Sequence, residues 1–461
     1  MKKFFFLTIL VVALVLGAPA VIGIKAESRY QLAIDHIQQS GLRVVSHSYS
    51  RGWFGAKAET GIVFVAPEGA SAATGPDSPH LTLVSTIAHG PLVSTGLGIA
   101  EIDSQIEFAE KTLALPDDQA QIHTLIDLDG SGHTRINLPA ADMTGSAKMP
   151  DISFDGLSGE MQFGIDGDID THLVLHGLVV GSDGQKLLEL GETRLQSNSR
   201  TSVSGLMLGN GKFSMQRLKL SGPEQGEQVA MQQLDVDLAS SEELEQVSAV
   251  ASYRVERVEV GHDVYGPGQL RVELNRLSGP VLVRLQRAIT DIKSQSMSDA
   301  QRGMALMGVV MNVASELLKG DPGIVIKPLS LVTPDGTVEG ELSLRGNGLR
   351  LADISNMPVL AGKLVADLSL RAPEKLFRSM LVQQSARRLK QQIAAMIEQG
   401  GEAPRLEQGE LQQLIERQVD QQLSEWISQE VIVRDGSDLA TVASLSSGLL
   451  TVNGKTIPLP Q

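Results

Sequence analysis

The chain opens with Lys2 and Lys3, then an uncharged apolar run over residues 4–24, then Lys25 and Glu27. At 21 residues the run matches the ~20 a helix needs to span a bilayer's hydrocarbon core. Basic residues ahead of it predict an orientation with the N-terminus inside. Ala18-Pro19-Ala20 offers the small-residue site of a cleaved signal peptide. The apolar character continues through Val21, Ile22 and Ile24, and that length favours an uncleaved anchor. Beyond it, Tyr30, Ala33, Ile34 and Ile37 recur at steps of three and four, which predicts a short helix over 27–39 stopped by Gly41.

From residue 42 the period changes to two. A strand-like run beginning at Val44 passes through a turn at 51–55 into a second run over 58–65. Residues 66–80, rich in Pro, Gly, Ser and Ala, read as a surface loop. Strand-length runs separated by turn residues then continue to about 279. In 234–238 and 270–274 every second side chain is apolar and the others are charged, giving one wet face and one buried face. Asn210-Gly211 reads as a hairpin turn between two such runs. No helical crossovers separate these strands, so the expected sheet is antiparallel.

Helical periodicity returns at Pro280, with Leu282, Leu285, Ile289 and Ile292 on one stripe. A second helix starts at Ser298, whose spacing to Gln301 suits a capping box. Met304, Met307, Val310, Met311, Ala314, Leu317 and Leu318 form its apolar side, and Gly320 and Pro322 end it. The methionine stripe is expected to pack in the core. A strand pair over 324–331 and 337–345 turns at Pro334-Asp335-Gly336, and 364–370 adds another strand. Two further helices are expected over 373–398 and 406–428, the second carrying Leu411, Ile415, Val419, Leu423 and Trp426. Strands near Val431 and Leu449 and an Asn453-Gly454 turn close the chain.

These patterns predict an α+β protein with an N-terminal transmembrane helix, a long mostly antiparallel β region, and amphipathic helix pairs packing on or beside the sheet. The expected divisions are 1–25 (cytoplasmic stub and anchor), 26–279 (β region with its leading helix) and 280–461 (helix pairs interleaved with strands). The length, 461 residues, allows roughly two to three structural units. Aromatics are only 3% of the chain, so Trp53 and Phe54, in a glycine-flanked turn, are expected to be spent on burial. A net charge of −15 with no basic stretch excludes a nucleic-acid footprint. It also opposes lying flat on anionic lipid headgroups. With no cysteine there is neither a disulfide nor a thiolate metal site.

Several segments together carry a resemblance: Gly23, Glu27 and Tyr30; SYSRGWFGAKAET at 48–60; Tyr253 with 265–270; DPGIVIKPLSLVTPDGTVEGELSL at 321–344; and GLLTVNGKTIPLP at 448–460. In these the chain resembles the YdgA-like family of bacterial envelope proteins of unknown function. The resemblance spans nearly the whole chain and is diffuse over about 70–240. It implies an inner-membrane-anchored periplasmic protein, with a homodimer among the expected assemblies, and it brings no catalytic residues to carry over.

Candidate chemistry is sparse. Asp127-Leu128-Asp129-Gly130-Ser131-Gly132 resembles the start of a calcium loop, but its twelfth position is Leu138 and its flanks read as strands, so a hairpin turn is the better reading. Asp166, Asp168 and Asp170 alternate along a strand-like run, as a solvated face does. His172 and His176 stand four apart on a strand-like run and lack the zinc-protease glutamate. No nucleophile elbow, phosphate loop or dinucleotide fingerprint is present. No catalytic, cofactor or metal residue is therefore assigned. The expected function is an inner-membrane-anchored periplasmic scaffold whose partners are the bilayer, a second copy, or an envelope protein or lipid. Lipid handling along an apolar β face and a hydrolase with dispersed residues are the alternatives.

Overall fold

The computed structural model describes residues 42–64, 80–108, 121–143, 151–182, 184–222, 228–294, 297, 299–398 and 408–457. The expected anchor at 4–24, the helix at 27–39 and most of the loop at 66–80 lie outside these residues. Among the described residues no helix is long and apolar enough to cross a membrane. The transmembrane helix, and with it the single-pass inner-membrane location, is therefore withdrawn. The α+β class is corrected too: the chain is mainly antiparallel sheet, because the short alternating runs in its diffuse middle all form strands.

The chain divides into two compact units: Met1–Glu242 with Leu282–Val309, and Glu243–Val281 with Val310–Gln461. The first unit begins with β1 (Leu42–Arg51), β2 (Gly55–Phe64) and β3 (His80–His89). A small pair follows, β4 (Leu92–Val93) and β5 (Gly96–Leu97). Next come β6 (Ala100–Phe108), β7 (Gln121–Ile126), β8 (Gly132–Leu138), β9 (Ala141–Met143), β10 (Asp151–Phe154), β11 (Leu157–Phe163) and β12 (Ile169–Leu175). Then come β13 (Leu178–Ser182), β14 (Gln185–Leu190), β15 (Thr193–Thr201), β16 (Met207–Ser221) and β17 (Gln228–Glu243). Their antiparallel ladder runs β1-β2-β3-β6-β7-β8-β11-β12-β15-β16-β17. The far end of β16 changes partner to β14, which leads through β13 and β10 to β9.

Asn210-Gly211 does not turn. Both residues sit inside β16, opposite Asn198 and Ser197 of β15 and Ala239 and Leu238 of β17. Partners on both sides hold the dipeptide extended, and the turn falls earlier, at 202–206. That turn shares its geometry with two others. The Gly130, Gly167 and Gly205 N–H groups donate to the carbonyls of Asp127, Gly164 and Ser202 at 2.9–3.1 Å. The N–H groups of those three residues in turn donate to Ser131, Asp168 and Leu206, each at 2.8 Å. The fourth residue of each turn has φ of +92°, +83° and +86°, a conformation that only glycine adopts without steric cost.

Small residues bring the first strands close together. Ala56, Ala58, Ile87 and Ala100 form a buried cluster against Tyr49, Ile99, Ile102 and Ile126. Trp53 and Phe54, expected to be buried, stand exposed at the β1–β2 tip, in the turn beyond the strand residues of this cluster.

The second unit holds β18 (Gln246–Val260), β19 (Asp263–Tyr265), β20 (Gly268–Ser278), β21 (Gly323–Thr333), β22 (Gly336–Gly346) and β23 (Leu364–Pro373). It ends with β24 (Val433–Asp435), β25 (Asp438–Ser446), β26 (Leu449–Val452) and β27 (Lys455–Ile457). Its ladder runs β19-β18-β20-β21-β22-β23-β25-β26-β27, with β24 also on β25.

The helices α1 (Gly279–Ser294) and α2 (Asp299–Leu317) start and stop close to where their periodicity predicts. A short α3 (Met357–Lys363), which the periodicity did not announce, follows, and α4 (Glu374–Glu398) and α5 (Gln408–Ser428) again fall where expected. The α4–α5 pair packs on itself and α4 on β23 and β25. It is fastened by Phe377 against Trp426 (centroids 6.5 Å apart) and by Arg378 on Asp420 (2.6 Å). Ile415, Val419 and Leu423 form the buried stripe of α5. The α2 stripe behaves differently: Met304, Met307, Val310 and Met311 are exposed, contrary to the expected core role. Val419 is fully buried, so Val419→Ala should lower the unfolding free energy by about 2 kcal/mol, measured by denaturant titration.

Candidate functional site

Alternation along the first-unit ladder sorts side chains onto two faces, and register carries the sorting from strand to strand. One row reads Ile122, Ile136, Gly159, Leu173, Leu195, Phe213, Val236 across seven strands. The next row on the same face reads Leu138, Leu157, Leu175, Thr193, Met215, Leu234. A glycine is required in the first row, since a Cβ on Gly159 would run into the His172 carbonyl and Leu173. These rows are half-buried along their length. Met215 is their buried apolar side chain, while Leu195 is 39% exposed.

The opposite face is polar, and its charges pair across strands. Arg135 meets Glu160 across strands (3.4 Å), while Arg194 meets Glu192, two residues before it in the chain (2.6 Å). Asp168 and Asp170, read from sequence as alternating acids, share Arg200 at 3.2 and 3.0 Å, and the Asn198 amide also donates to Asp170. Asp166 lies apart, in the turn before the strand. The calcium-like segment is a hairpin turn in which the Ser131 backbone and hydroxyl donate to Asp129 (2.9 and 2.7 Å) and hold its carboxyl below the ordinary range. His172 stands in register with Glu160 and Gln196. His176 lies beyond the strand end with its Nε2 3.1 Å from the Ser158 hydroxyl. Four strand residues separate the two histidines by about 13 Å, so they do not share a ligand.

One polar cluster was not read from sequence. Glu101 and Asp103 stand two apart on β6, and His123 of β7 is the register partner of Asp103. The His123 Nδ1 is 2.8 Å from Asp103, and its Nε2 is 3.6 Å from Glu101. The three ligand-type atoms lie within 4.8 Å of one another, close enough to hold a divalent ion. Their present bonding suits a clamp. Glu101 is buried and accepts from the Ser94 N–H (2.7 Å) and hydroxyl (2.6 Å), which fastens the β4–β5 pair to the sheet. Burial pushes the Glu101 carboxyl up, but the Ser94 bonds, the His123 charge and the Thr95 backbone together hold it below its ordinary 4.5. Separately, a hollow of about 310 Å³ lies beside β9, β10, β13 and β14, lined by Asp142, Ser153, Gln185 and Lys186 among others.

The family model for "Bacterial protein of unknown function (DUF945)" matches residues 1–460. The chain belongs to DUF945. No curated protein and no solved structure matches it. The features that set this DUF945 member's surface are the two-faced ladder and the clamp on its β6–β7 pair.

Two titrations follow. His89 is buried, and burial lowers its pKa from 6.5; a Trp53 backbone bond pulls it back up and the Arg51 charge pushes it down again. The folded chain therefore takes up this proton less readily than the unfolded chain, so stability falls as pH drops below 6.5. His89→Gln should flatten that slope in thermal melts. The depressed Glu101 stabilises fully above 4.5 and loses its contribution as pH falls through its folded value. Glu101→Gln should remove that acid-side loss.

Proposed function

We propose that this DUF945 protein is a non-enzymatic interaction scaffold, and that its finer kinship is YdgA-like. The observation that carries the reading is the separation of the ladder into a face of paired charges and a face of half-exposed apolar rows. A face of this kind is a surface for contact, since a contiguous exposed apolar face marks an interaction site. The exposed methionine stripe on α2 supports it. Methionine adapts to varied partner shapes, and a second copy or another protein would cover that stripe.

A second reading, binding of a hydrophobic ligand such as an acyl chain, is favoured by the apolar rows themselves. An apolar sheet face must be covered by a second layer or by something bound. Acids on the polar face are spread over cross-strand ion pairs, an arrangement that supports contact more than hydrolysis.

Native mass spectrometry of the full-length protein, gently purified from its own cells, separates the readings. A reproducible protein partner or a dimer is expected. Phospholipid at defined stoichiometry would instead bring the ligand reading forward. A bare monomer that chemical cross-linking also fails to join to anything would sink the scaffold.

A further inference from the structure

The register of the first-unit ladder places five hairpin connections at one end of the strands: 52–54, 90–99, 127–131, 164–168 and 202–206. Turn apices are ordinarily glycine, asparagine, aspartate or serine, and the formers are present here. Each connection also carries a large apolar side chain in the open: Trp53, Leu92, Leu128, Ile165 and Val203, between 56% and 94% exposed. A lone exposed apolar residue needs no explanation. A row of them, one per hairpin, does. The short connections at the opposite end, 176–177 and 191–192, carry none.

Two features indicate what the row touches. Successive tips are two strands apart, about 10 Å, with polar turn residues between them. A protein partner would need a separate pocket for each side chain, whereas a fluid lipid interface closes round each one, and Trp is enriched at such interfaces. The charge then selects the lipid. Asp127, Asp129 and Asp166 stand among the tips, and anionic headgroups would repel them.

We propose that this end of the ladder docks edge-on, by its apolar hairpin tips, onto a zwitterionic lipid surface. The contact inserts tip side chains only and needs no membrane-spanning segment. It is independent of the scaffold reading.

The absence of native cysteine makes the test direct. Single-cysteine variants Leu128→Cys, Ile165→Cys and Val203→Cys of the full-length chain carry an environment-sensitive fluorophore, with His176→Cys as the opposite-end control. Because each label reports locally, the apolar run at 4–24 does not confuse the readout. With phosphatidylcholine vesicles the three tip labels should shift to the blue and the 176 label should not. Adding phosphatidylglycerol should weaken the response. Trp53→Ser with Phe54→Ser should lower the lipid affinity reported by the tip labels by roughly tenfold, and unchanged melting curves would show that the variant folds. Silent tip labels, an equal response at 176, or a response that grows with phosphatidylglycerol would overturn the proposal. So would tip labels that are shielded by a co-purifying protein and indifferent to lipid.

Discussion

A hydrogen-bonded strand can place its side chains on only two sides, and in this protein every other property of the first unit depends on that restriction. Along the ladder from β7 to β17 each strand joins its neighbour in a register that keeps most apolar positions beside apolar ones. A slip of one residue would carry leucines and isoleucines onto the charged side. Gly159 shows how tightly the strands are drawn together, since the row has no room for a side chain at that point. The ion pairs of the other face, Arg200 with Asp168 and Asp170 for instance, exist because the same register sets arginine beside acid. Exposed pairs of this kind contribute little stability individually; they serve more to disfavour the slipped pairing.

Much of the secondary structure was legible because its signals are local. Pro280, the α5 stripe of Ile415, Val419 and Leu423, and the Asn453-Gly454 turn each announce themselves within a few residues, and the structure places elements there. Asn210-Gly211 misled for an instructive reason. Its turn propensity is real, but β15 and β17 pair with it from both sides, and ladder bonds outweigh the preference of two residues. The methionine stripe of α2 showed a similar limit. Helical spacing identifies an apolar side without saying what lies against it.

The polar cluster was out of reach for a different reason. The two-residue step from Glu101 to Asp103 is visible in the sequence, yet His123 joins them only through the pairing of β6 with β7. That pairing is a tertiary fact, and no spacing rule contains it. The faces of the ladder were half legible. Alternation within each strand foretold a wet side and a dry side, whereas the continuity of the rows needed six registers at once. The class was misjudged because a few strong helical periods weighed more than many weak strand periods, although together the weak ones build most of the chain.

The three turns at 127–131, 164–168 and 202–206 repeat one backbone design. Each hands the chain to the next strand in the same way, so a hairpin could be gained or lost between them while the strands on either side still matched. The ladder can therefore change its reach in fixed increments, like a comb lengthened tooth by tooth. Lineages that share this architecture can differ in the span of their sheets while conserving the joint between one hairpin and the next.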